Sequence, residues 1–151
     1  MLGLLLLLHL VGLALGMGAL VCQLVLLERY KSARDPAARI GSEGMAQAVI
    51  SFVLAPGVYL ALASGLGLAA LQRWEPFTQG WFHFKLLFVF WIVLATRLLG
   101  RNAVRIRSLR EQCSNLDSER LRSLKDNHAM IGYVTLLAFV FVIGFSLWKP
   151  F

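Results

Sequence analysis

Residues 80–100 read GWFHFKLLFVFWIVLATRLLG. Only Lys85 and Arg97 carry a fixed charge in that run. As a helix rising 1.5 Å per residue, it is long enough to cross the roughly 30 Å of hydrocarbon in a bilayer. The stretch therefore predicts a membrane span. His83 and Lys85 stand near its start, and ionisable side chains in hydrocarbon are costly enough to mark function.

Three further runs share this character. The chain has 151 residues, 58% of them hydrophobic, and a mean hydropathy of +0.70. A soluble domain of that length needs far more polar surface. The first span runs from Leu2 to about Leu27, the second from about Met45 to Leu71, the third from Gly80 to about Leu99, and the fourth from Ala129 to about Trp148. The first run lacks a positive leading segment and is longer than the apolar core of a signal peptide, so it reads as a retained helix. The second carries Pro56-Gly57, which predicts a kink, and then many small residues, among them Ala61, Ala63, Ser64, Gly65 and Gly67.

The charges between the runs set the orientation. Arg29, Lys31, Arg34 and Arg39 separate spans one and two. Spans three and four are separated by Arg97, Arg101, Arg105, Arg107, Arg110, Arg120, Arg122 and Lys125. Only Arg73, beside Glu75, lies between spans two and three. Lys and Arg accumulate on the cytoplasmic side, so the two Arg-rich connections are cytoplasmic and both termini lie on the outer side. The predicted fold is all-α: a single integral membrane domain built as a four-helix bundle. Trp74, Phe77, Trp81, Phe82 and Trp148 fall where an outer interfacial aromatic belt belongs.

The net charge of +7 follows from these connections and from anionic headgroups beside them, which excludes nucleic acid as the partner. The stretch RNAVRIRSLREQCSNLDSERLRSLKDNH (101–128) reads as an amphipathic continuation of span three or as a solvated charge run. Cys22 lies inside span one and Cys113 in a basic connection. Their spacing matches neither a disulfide framework nor a metal motif.

Orientation places the histidines. His9 stands roughly 28 Å above Glu28, and His83 roughly 21 Å above Arg97, on a rise of 1.5 Å per residue. Both belong to the outer leaflet, whereas His128 lies at the inner end and reads as a helix-start residue. Two imidazoles at one depth suit a b-type haem or the beginning of a copper site. Met17, below His9, is the nearest soft ligand for copper, with Cys22 deeper. Gly12 and Gly16 share the His9 face, where a Gly-x-x-x-Gly strip admits either a second helix backbone or a flat macrocycle. Lys85 lies about 200° around its helix from His83. It either snorkels to the outer headgroups or turns inward to meet a carboxylate.

Several of these segments resemble the HemJ-type membrane protoporphyrinogen oxidases, which are distantly similar to CopD-like four-helix proteins. LHLVG (8–12) resembles that family's first-helix histidine motif, and APGVYLALASGLGL (55–68) its second-helix Pro-Gly segment. GWFHFKLLFVF (80–90) resembles its Gly-Trp-Leu-His-x-Lys-Leu, and DNHAM (126–130) with a run ending in KPF its last common helix. The resemblance implies haem b held by His9 and His83, with Lys85 as the catalytic or substrate-holding residue. It also implies oxidation of a porphyrinogen, with a quinone or another protein as electron acceptor, in the bacterial inner membrane. The chain departs from the family pattern at Val25, at Ala95-Thr96 and at Asn127-His128-Ala129-Met130, where the family carries Arg, Tyr-His and Asn-Glu-x-Pro. Those departures keep a second expectation open: a non-catalytic accessory subunit, as a homodimer or within a larger membrane complex. Copper or small-solute transport is a third, although no span carries the midplane acid that transporters use.

Overall fold

The computed structural model describes residues 1–32, 36–112 and 119–148. Arg34, Cys113 and the terminal Lys149-Pro150-Phe151 lie outside the described residues. The described chain forms helices α1 (Leu2–Ser32), α2 (Pro36–Val49), α3 (Ala55–Leu71), α4 (Gly80–Gln112) and α5 (Glu119–Trp148). A π-helical turn, Ile50–Leu54, joins α2 to α3 without a break. Four stretches are long and apolar enough to span a membrane: Leu2–Arg29, Ile40–Leu71, Gly80–Leu109 and Glu119–Leu147. The protein is an all-α four-helix membrane bundle.

The spans run alternately up and down. Each packs against its sequence neighbour, and α5 closes the ring against α1. This simple order follows from short connections between antiparallel helices. One end of the bundle gathers the Arg-rich connections; the other carries the turn at residues 72–79. A cluster drawn from all four spans forms the core, with Leu20, Leu54, Leu99 and Phe139 almost wholly buried.

Two features differ in detail from expectation. The distortion in the second span lies in the π-turn that precedes Pro56, not at Pro56 itself. Proline has no N–H, and its ring clashes with the carbonyl four residues back, here Phe52, so a widened turn just upstream relieves both problems. The helices also extend beyond the hydrocarbon-length runs. The continuation of α4 is amphipathic, as its charge pattern predicts: Asn102 and Ile106 are buried while Arg101, Arg105 and Arg107 are exposed.

At the Arg-poor end the chain reverses through Arg73 (φ 50°) and Trp74 (φ 62°), two successive non-glycine residues in the left-handed region. Their N–H groups return to Ala70 and Ala69 carbonyls, which satisfies the end of α3. The aromatic belt is assembled around this reversal. Phe77 packs on Trp74 at 5.3 Å and on Phe82 at 4.8 Å between ring centroids.

Candidate functional site

Span one is almost featureless in hydropathy, so its glycines decide how it packs. A Cβ on Gly12 would stand 2.6 Å from the Ala61 nitrogen and 2.8 Å from the Gly57 oxygen. A Cβ on Gly16 would stand 2.9 Å from the Phe139 ring. The strip thus admits the second span backbone to backbone. The space directly over Gly12 and Gly16 is filled by α3 and by Phe139, so these two glycines let helices pack closely.

That close approach fixes His9. Its Nδ1–H donates to the Ala61 carbonyl at 2.8 Å, with Ser64 Oγ 3.4 Å from the same nitrogen. Ser64 itself donates to the Leu60 carbonyl at 2.6 Å. Gly65 leaves space for the ring, since a Cβ there would meet His9 Cε1 at 3.0 Å. A carbonyl only accepts, so the ring proton is on Nδ1 and the Nε2 lone pair is available. This is the usual arrangement for a histidine that binds a metal through Nε2.

His83 does not join it. The ring lies on the exposed side of α4, and its Nδ1–H donates to the carbonyl of Gln79, the residue just before that helix, at 3.2 Å. The paired-imidazole cradle expected from depth alone is not formed: His9 is held against α3, whereas His83 lies on the exposed side of α4. Lys85 turns inward instead, and its Nζ donates to Ser146 Oγ on α5 at 2.7 Å. The Arg-poor half of the bundle therefore brings together His9 and Ser64 on one side and Lys85 and Ser146 on the other. Met17 packs against the apolar core. Among the described residues no group of three or more His, Cys, Asp or Glu side chains could hold a metal ion.

A second polar layer lies nearer the Arg-rich end. Gln23, 0% exposed, donates from Nε2 to His128 Nε2 at 2.7 Å; His128 is 2% exposed. Gln23 Oε1 and His128 Nδ1 are buried without a partner. One turn toward the end of the bundle, Lys125 pairs with Glu43 at 2.7 Å, with only 9% and 13% of the two side chains exposed. His128 is thus a core residue rather than a helix-start residue. The signal that marks this layer in the sequence is Gln23, a lone amide in an otherwise apolar run. Ser64 and Ser146 carry no comparable signal, because a serine in a membrane helix satisfies itself on the preceding turn.

Residues 3–150 match a family described as predicted integral membrane proteins (DUF2269). No curated protein and no solved structure matches the chain.

Proposed function

The chain belongs to this family of predicted integral membrane proteins, and from that premise we propose that it is a haem-linked protein whose iron ligand is His9. The observation that carries the reading is the Nδ1–H bond from His9 to the Ala61 carbonyl, which leaves Nε2 as the free donor. Imidazole nitrogen is a common haem ligand. Lys85 is placed to pair with a carboxylate, and a tetrapyrrole brings carboxylates in its propionates. Bound haem b would supply one-electron transfer. His9 would hold the iron and Lys85 would orient the macrocycle through its acid groups. His83 takes no part in this version.

The reaction class that fits the resemblance is oxidation of a porphyrinogen in the bacterial cytoplasmic membrane, with its electrons and protons passing to a quinone. Such a substrate bears the same propionates, so Lys85 serves its recognition as well. The test is a reduced-minus-oxidised absorbance spectrum of the detergent-purified protein. A sharp b-type α-band, retained through size exclusion, is expected. A protein purified from haem-replete cells without that band overturns the reading.

A second reading, as an accessory subunit, is favoured by one seam on α4. His83, Leu87, Phe90 and Leu94 follow one another at helical spacing on its exposed side. Such a seam suits a neighbouring membrane helix. Native electrophoresis of gently solubilised membranes separates the readings: migration as a single four-span chain removes the second.

A further inference from the structure

We propose that the groove on α4 lined by Arg97, Gly100, Arg101, Val104 and Arg105 is a binding site for the phosphate headgroup of an anionic phospholipid. The three arginines recur every fourth residue, so they stack on one face over about 12 Å of helix. All three are exposed. Arg97 donates from Nε to the Tyr59 hydroxyl at 3.3 Å. That bond holds the guanidinium in place and leaves its terminal nitrogens for an anion. Arg101 and Arg105 make no ion pair with any described residue.

Depth selects a lipid over a soluble anion. Arg97 lies roughly 26 Å along α4 from Gly80, at the inner edge of the hydrocarbon. Arg101 and Arg105 follow at the headgroup level. Lipid phosphate is the anion present at that height, and guanidinium matches it with two parallel hydrogen bonds. Exposed Leu94, on the hydrocarbon side of Arg97, offers apolar surface to the acyl chains.

Shape separates this site from a diffuse basic belt. Gly100 lines the groove, and a Cβ there would meet nothing within 4 Å. A larger side chain would occupy the groove from an unobstructed Cβ and would remove no charge. Leucine is also a better helix former than glycine, so the fold is not put at risk.

The experiment reconstitutes the protein in phosphatidylcholine vesicles doped with phosphatidylglycerol and weighs the lipids retained after extraction by mass spectrometry. The wild-type protein is expected to retain phosphatidylglycerol in excess over phosphatidylcholine. Arg101→Gln should reduce that excess about fivefold, the factor equivalent to one basic residue at an anionic surface. Gly100→Leu should reduce it at least as far. Wild-type retention by Gly100→Leu would overturn the proposal in favour of diffuse charge. Displacement of the lipid by excess inorganic phosphate would overturn it in favour of a soluble anion.

Discussion

Replacing Gly12 with alanine tests the packing on which the His9 site is built. The added methyl would lie 2.6 Å from the Ala61 nitrogen, 2.8 Å from the Gly57 oxygen and 2.9 Å from the Ala61 Cα, where ordinary contact begins at 3.4 Å. All three atoms are backbone, so no rotamer change relieves the clash. The first two spans must separate by about 0.8 Å at their crossing, and overpacking of this kind costs typically 1–3 kcal/mol. With three backbone contacts at once we place it at the upper end, about 3 kcal/mol. The separation also stretches the bond from His9 to Ala61, a further ~1 kcal/mol. Gly18→Ala, on the same helix, provides the comparison: its methyl meets nothing within 4 Å. That change should be neutral or stabilise by up to ~1 kcal/mol through helix propensity. Both are read by equilibrium denaturation in mixed micelles. Equal stability of the two variants would refute the backbone-to-backbone crossing.

Three other outcomes follow from the same packing. Gln23→Leu leaves His128 Nε2 buried without its donor and should cost about 1–3 kcal/mol, measured in the same micelles; adding His128→Leu should recover part of that loss. Lys125→Ala, which removes one member of the nearly buried pair with Glu43, should destabilise by about 3 kcal/mol. The charge-reversed double variant Glu43→Lys with Lys125→Glu should lose less than Lys125→Ala does, and a larger loss would show that the pair is not the stabilising contact. Arg73→Gly relieves a left-handed residue at the turn after α3 and should raise stability by up to ~1 kcal/mol; a fall in thermal midpoint would contradict the strain assigned to that turn.

Membrane burial makes span number and span order legible from sequence, because hydrocarbon tolerates neither open backbone nor scattered charge. The apolar runs and the two Arg-rich connections were enough to give the four-helix bundle. Position along each helix was equally legible, since rise per residue is fixed. Direction around the helix was not. Lys85 and His83 are separated by about 200°, so one of them had to face outward, but which one depends on Ser146 in α5. The Gly12 strip was readable as a close approach of something; that the occupant is the second span depends on Gly57 and Ala61 lying opposite. Span one offers little amphipathic guidance, since nearly all its residues are apolar, and its buried side is marked instead by Gly12, Gly16 and Gln23. His128 was misread for the same reason. Its position at the start of an apolar run pointed to the interface, whereas Gln23, far away in sequence, draws it into the core.

The most direct measurement of the central claim compares reduced-minus-oxidised spectra of the purified wild-type protein, His9→Ala and His83→Ala. His9 Nε2 as the ligand predicts a b-type α-band in the wild type, its loss in His9→Ala and its retention in His83→Ala. A band that survives in His9→Ala, or one abolished by His83→Ala, would contradict it.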